Sequence, residues 1–378
     1  MACRIPFQER KTPWRGLLDL ATGCYPSFLF GGSVGPILPV FHFHSVTPQS
    51  LEPYLAYLSE NGYQTVTSEA IADFALKGVH PCPNRVALAF DDAWLSLWTV
   101  AFPLLKKYSF NAIAYVSPGR IPEADGPRPA LQDSSWQPSA GDAERFTSWP
   151  ELKALHESGI VDIQAHTFTH STIFCDSEVI GFVTPDYRPP VHLRPLLHEP
   201  SVQFVSPDDL GCPLYTQRSR MSDARRYLES AEARHRCMGT IRHQRGTAFF
   251  ARPDWKIILK VAAQTGDGRY ETEAERNAAI REELVRAREV LSQRLGSSKV
   301  RHMCFPFSVC GSIAESLLKE TGYDTAFADR LFGLRAVKAG GNPYRLMRLK
   351  HEFIFYLPGK GRRGFLDAWK QGRRKAAE

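Results

Sequence analysis

The chain has 378 residues, 43% of them hydrophobic and 23% charged. That is the balance of a globular protein able to bury a sizeable core, and it excludes disordered and fibrous classes. Much of the formal net charge of +7 sits at the ends, in Arg4, Arg10, Lys11 and Arg15 and in Lys360, Arg362, Arg363, Lys370, Arg373, Arg374 and Lys375, where it implies either solvated tails or contact with anionic lipid headgroups at a membrane surface, anionic polysaccharide or nucleic acid.

Residues 20–51 lack Asp, Glu, Lys and Arg, but Gly31, Gly32, Gly35, Pro36 and Pro39 interrupt the run, so it does not read as a membrane span. The first 30 residues hold no short apolar core behind a basic start, and the expected location is the cytoplasm. Eight cysteines occur without a CxxC pair, which argues for free thiols over a disulfide framework or a zinc finger.

Short apolar runs then alternate with amphipathic stretches, the rhythm of a parallel α/β sheet or barrel. Residues 37–43 read as a strand and 51–61 as a helix ended by Gly62. Residues 86–90 form an apolar run that stops at Asp91-Asp92, and 95–107 read as a helix. Residues 112–116 are a strand, and Ser148-Trp149-Pro150-Glu151 opens a helix with Ser as N-cap and Glu three residues on. Residues 161–165 are strand-like and run into His166. Residues 273–295 are a long charged helix with a capping box at Thr272 and Glu275, 302–306 a strand, and 312–321 a helix ended by Gly322. From about 173 to 270 the rhythm fails, with Pro-, Asp- and His-rich sequence and a charged helical stretch at 221–236. This reads as an insertion forming a lid or subdomain. Residues 119–147 are a second irregular loop.

Two strand ends carry the chemistry. Asp91 and Asp92 are adjacent carboxylates. His166 and His170 are imidazoles four residues apart, a spacing that puts both rings on one side of a helical turn. Two His and one carboxylate are a common ligand set for a catalytic Zn²⁺ or similar ion, and the second carboxylate is then free as a base. Each feature alone is a weak signal, but both lie at the C-terminal ends of apolar strands, where α/β folds keep their sites.

These residues resemble a known family. Val86-Ala87-Leu88-Ala89-Phe90-Asp91-Asp92 resembles the first motif of the polysaccharide deacetylases with the NodB homology domain. His166-Thr167-Phe168-Thr169-His170 matches the second motif, and Cys304-Phe305-Pro306-Phe307 looks like the third. The resemblance implies a distorted (β/α) barrel of about seven strands with a large insertion. It assigns 36–172 and 273–355 to the barrel, 173–272 to the insertion, 1–35 to an N-terminal extension and 356–378 to a basic tail.

For the site, the resemblance implies Asp91 as catalytic base and Asp92, His166 and His170 as ligands of a divalent metal ion, Zn²⁺ first among them. It implies the backbone N–H of Phe307 as oxyanion contact and His351 as general acid, with Arg348 in the same strand as the alternative. His42 and His44 read as one core histidine and one site-wall residue. Ala93 stands where a Gly is usual, and Cys304 where many members carry the Arg that orients the base. The implied activity is a hydrolase of C–N bonds that removes N-acetyl groups from an amino sugar, polysaccharide or glycoconjugate precursor. The alternatives are a deacylase of a non-sugar amide and a catalytically silent carbohydrate-binding relative. Nucleic acid is not an expected partner, since only net charge favours it.

Overall fold

The computed structural model describes residues 26–130, 145–198, 202–244, 246–264, 268–329 and 337–364. Most of the expected N-terminal extension, the middle of the 119–147 loop and the basic ends other than Lys360, Arg362 and Arg363 lie outside the described residues.

The chain divides into two compact units. The larger comprises the described residues of Lys11–Phe168, Leu284–Cys310 and Leu317–Glu378. Its strands make one sheet in the spatial order Leu346–Met347, Thr325–Asp329, His302–Cys304, Val161–Ala165, Ala112–Val116, Arg85–Asp91, Val40–Phe43 and Leu349–Lys350, all paired parallel. Gln64–Thr65 pairs beside Arg85–Asp91, off this path. The two ends of the path are consecutive pieces of chain separated only by Arg348, so the sheet turns back on itself as a nearly closed barrel. Counted as one interrupted strand, these pieces leave seven strands on this path among the described residues, against an expectation of about seven.

The strands form because their apolar runs can be covered on both faces. In Arg85–Asp91 every residue after Arg85 is buried, the mark of a parallel strand packed on both sides. Leu38, Val40, Ala87, Ala89, Ile113, Tyr115, Cys304, Phe327 and Leu346 belong to one buried cluster.

Helix starts follow the caps. Pro48–Glu60 begins earlier than expected because Thr47 and Ser50 cap it reciprocally, at 2.8 and 3.2 Å. Trp149–Glu157 opens on the predicted box, with Ser148 N donating to Glu151 Oε2 at 2.8 Å. The same buried carboxylate takes the Arg128 guanidinium. Among the described residues no helix is long and apolar enough to cross a membrane.

The smaller unit comprises Thr169–Glu283 and Gly311–Ser316, apart from residues not described. Thr172–Phe182 pairs antiparallel with Pro213–Ser219, Leu196–His198 with Gln203–Phe204, and Tyr227–Leu228 with Arg269–Tyr270. Helices Ala231–His243 and Trp255–Ala263 pack with Phe182 and Phe249 around Cys237, Ile241 and Leu259.

The expected helix over 221–236 does not form. Its charged residues go to different partners: buried Arg226 donates to the Leu196 and Leu197 carbonyls, and exposed Asp223 accepts from the amides of Ser312 and Ile313. Just ahead of it, Arg220 pairs with Glu271 at 2.9 Å on both arms. A helix could not aim successive side chains this way, and helical structure starts only at Ala231, where the Ser230 hydroxyl accepts from Ala233 N.

Candidate active site

The sequence-predicted groups gather at or beyond strand ends of the barrel, the edge where such folds place chemistry. Asp91 ends Arg85–Asp91, with Asp92 after it, and His166 follows Val161–Ala165. Phe307 lies three residues past His302–Cys304, and Arg348 interrupts the last strand. The backbone turns sharply here. Asp92, Ala93, Thr167, His170, Phe307 and Ser308 all have φ between 52° and 68°, a left-handed conformation costing an L-residue roughly 1–2 kcal/mol. The φ of 55° at Ala93 is the physical reason a glycine suits that position.

Contrary to the helical turn expected from their spacing, His166 and His170 do not share one. Thr167 and His170 are left-handed, so the five residues form an irregular loop, and tertiary contacts converge the rings. The Ser117 hydroxyl donates to the His166 carbonyl at 2.6 Å and Gly119 N donates to the Phe168 carbonyl at 2.8 Å.

Asp92, His166 and His170 are 5%, 2% and 4% exposed, and each offers a ligand atom within 4.8 Å of the others. His166 Nδ1 lies 2.5 Å from the Cys304 carbonyl oxygen. A carbonyl only accepts, so Nδ1 carries a proton and Nε2 faces Asp92 Oδ1, 3.4 Å away. Orienting a ligand imidazole through its other nitrogen is the usual support for metal binding. Trp94 Nε1 donates to Asp92 Oδ2 at 3.0 Å and orients the carboxylate. The donor set, two imidazoles and one carboxylate in a buried place, fits a divalent transition ion.

Asp91 turns to a different partner. Arg348 Nη1 and Nη2 bind its two oxygens at 2.6 and 2.8 Å, and His44 Nε2 stands 3.7 Å from Oδ2. Burial opposes the Asp91 charge, but the Arg348 guanidinium and the His166 ring outweigh it and hold the carboxyl well below the usual range. Burial likewise disfavours a charged His166, yet the Cys304 thiol and the Asp92 and Asp91 carboxylates around it raise its pKa well above the ordinary value. His42, beneath these groups, is pushed down to about 3 by burial and by Arg348.

His351 stacks on Phe43 at 4.9 Å with Nδ1 3.2 Å from the His42 carbonyl oxygen. Phe307 is half-buried on the turn after Pro306. Sequence reasoning did not assign Trp94 to the site, nor Arg348 to Asp91. The signal for Trp94 was its position two residues after Asp92. For Arg348 it was an arginine between the apolar Met347 and Leu349 of the last strand.

Residues 78–190 match the family model for polysaccharide deacetylases. The chain is 30% identical over 146 residues to a poly-beta-1,6-N-acetyl-D-glucosamine N-deacetylase of Escherichia coli K12, a match covering 38% of this chain and 21% of that protein. The chain thus spans about a fifth of the length of that relative. A solved de-N-acetylase from Aggregatibacter actinomycetemcomitans superposes with a TM-score of 0.49 at 18% identity, over 83% of this chain and 95% of that one. The BpsB deacetylase domain from Bordetella bronchiseptica gives a TM-score of 0.48 at 16% identity, over 84% and 98%. Over residues 78–190, which hold the Asp91-Asp92 and His166–His170 motifs, this chain is thus similar to the polysaccharide deacetylases.

Proposed function

We propose that the chain is a metal-dependent hydrolase that removes N-acetyl groups from an amino-sugar polymer, with N-acetylglucosamine units as the first substrate to try. The observation that carries this reading is the pairing of two sites. A buried Asp92–His166–His170 ligand set stands beside an ionised Asp91 that is held by arginine instead of by metal. The substrate class follows from the family and from the printed activity of the Escherichia coli relative.

A divalent ion held by Asp92, His166 and His170, with zinc the best match to this donor set, would supply Lewis-acid polarisation of the amide carbonyl and acidify water near neutral pH. Asp91 takes the proton from the attacking water. Its bond to Arg348 keeps the buried carboxylate charged, at a cost in basicity, and leaves one lone pair on each oxygen for that water. The backbone N–H of Phe307 is assigned to the developing oxyanion, in keeping with the family motif.

For protonation of the leaving amine, the geometry favours His44 over the expected His351. His44 is 55% exposed in its side chain, so a substrate can reach it, and it is 3.7 Å from Asp91. His351 is instead stacked on Phe43 and turned to a backbone carbonyl.

The test is elemental analysis of the wild type beside a His166→Ala/His170→Ala variant, followed by an assay of acetate release from N-acetylglucosamine oligomers. About one ion per chain, lost in the variant together with acetate release, is the expected result. A wild type that takes up no metal after reconstitution would move the chain to a silent, carbohydrate-binding role. A metal-loaded protein inactive on sugars but active on other amides would replace the substrate and keep the chemistry.

A further inference from the structure

The long helix Glu273–Leu295 buries Ile280, Leu284, Ala287 and Leu291 completely, as an amphipathic helix should. Among these apolar residues it also buries a carboxylate, that of Glu283, which is only 6% exposed. Removing a carboxylate from water costs several kcal/mol unless hydrogen bonds satisfy it. Plain helix packing would be served at least as well by another leucine. Glu283 therefore needs a reason, and its partner supplies one. Thr169 donates to it twice, from its amide N to Oε2 at 2.8 Å and from Oγ1 to Oε1 at 2.5 Å.

Thr169 lies inside the loop between His166 and His170, directly before the second imidazole. The left-handed φ values at Thr167 and His170 mean that regular structure does not hold this loop in shape. Three residues further along the same helix, the Arg286 guanidinium lies 3.9 Å from the centre of the Phe168 ring. One helix thus grips two successive residues of the five-residue segment. Two imidazoles can share an ion only if the chain between them has a single shape, because each Å of freedom reduces the chance that both are in place together.

We propose that Glu283 is the positioning residue of the candidate metal site: through its paired hydrogen bonds to Thr169 it fixes the loop that presents His166 and His170, so that the two rings bind one cation together. This rests on the metal-hydrolase reading above. Glu283 is not in the Asp92–His166–His170 group, and its negative charge adjoins the loop that carries the ligands, where it favours a bound cation.

The experiment measures zinc affinity of the full chain, stripped with chelator, by competition against a chromophoric chelator, together with the melting midpoint of the metal-free protein. Glu283→Ala should weaken zinc binding on the order of 10–100-fold, the range found when outer partners of metal ligands are removed. Glu283→Gln can still accept the Thr169 amide through its carbonyl and donate to the hydroxyl through its NH₂. It should therefore recover most of the affinity. Thr169→Val, which removes only the hydroxyl contact, should fall between them and serves as the deciding variant if Glu283→Ala does not fold.

A purely structural Glu283 would lower the metal-free melting midpoint in the alanine variant and leave zinc affinity of the folded protein unchanged. That result, or unchanged affinity in Thr169→Val where the alanine variant is unfolded, would overturn the proposal while leaving the metal site intact. A wild type that binds no zinc would instead remove the metal-site reading, and the proposal with it.

Discussion

The guanidinium of Arg348 binds both carboxylate oxygens of Asp91, at 2.6 and 2.8 Å, across 257 residues of sequence. Fork-to-fork pairing of this kind fixes orientation as well as charge. It comes from the last barrel strand, while Cys304, on a different strand, is buried with its thiol pKa raised by that burial.

This pairing makes a prediction about pH. With Arg348 present, Asp91 has a depressed pKa and stays ionised far below neutrality. In Arg348→Met only the His166 and His44 rings still oppose the burial effect, so the Asp91 pKa rises and its protonated form persists to higher pH. The acid limb of kcat/KM for acetate release should move upward. Stability to urea should fall by about 3–5 kcal/mol, the usual cost of stranding a buried charge. An acid limb that stays in place would mean that another group titrates there.

Asp91→Asn separates the base from the ligand set. Asp92, His166 and His170 are untouched, so metal content should equal that of the wild type, while turnover drops about 10²–10⁴-fold. Elemental analysis and a single-turnover acetate assay on the same preparation check both halves. Full activity in this variant would remove Asp91 from the role of base.

Gly119 has no room for a side chain. A Cβ there would stand 2.7 Å from the Phe168 carbonyl oxygen and 3.2 Å from its ring, and Phe168 belongs to the loop that carries the two histidines. Gly119→Ala should push that loop, costing about 1–3 kcal/mol of stability and weakening zinc binding by at least roughly tenfold. Calorimetry with and without zinc reads both effects. If affinity survives the loss of stability, the loop adjusts without moving its ligands.

His42 predicts an acid-labile fold. Its folded pKa of about 3 lies below the ordinary 6.5, so between those values the unfolded chain binds a proton that the folded one refuses. The contribution of this ring is complete above about pH 6.5 and is lost as pH falls toward 3, by about 1.4 kcal/mol per pH unit. His302, also depressed by burial, acts in the same direction. Urea unfolding at pH 7, 5.5 and 4.5 should show this decline, and His42→Gln should make it shallower by one proton. Equal slopes in the two proteins would show that His42 is not held neutral.

Sequence by itself determined what is local. The apolar run of Arg85–Asp91 and its end at two carboxylates, the strand before His166, and the capping boxes at Ser148–Glu151 and Thr272–Glu275 were all legible. Each depends on neighbours within a turn or a strand, where periodicity and caps act. Their alternation implied a parallel α/β sheet or barrel, and the family resemblance implied the barrel.

Tertiary structure alone decided three matters. It brought Arg348 to Asp91. It bent the His166–His170 loop out of a helical path and anchored it on Glu283 across 114 residues. It also sent Arg226 inward to the carbonyls of Leu196 and Leu197. In each case a polar group is buried, and a buried polar group must find a partner wherever the fold offers one. That partner is chosen by proximity in space, and no spacing along the chain records it.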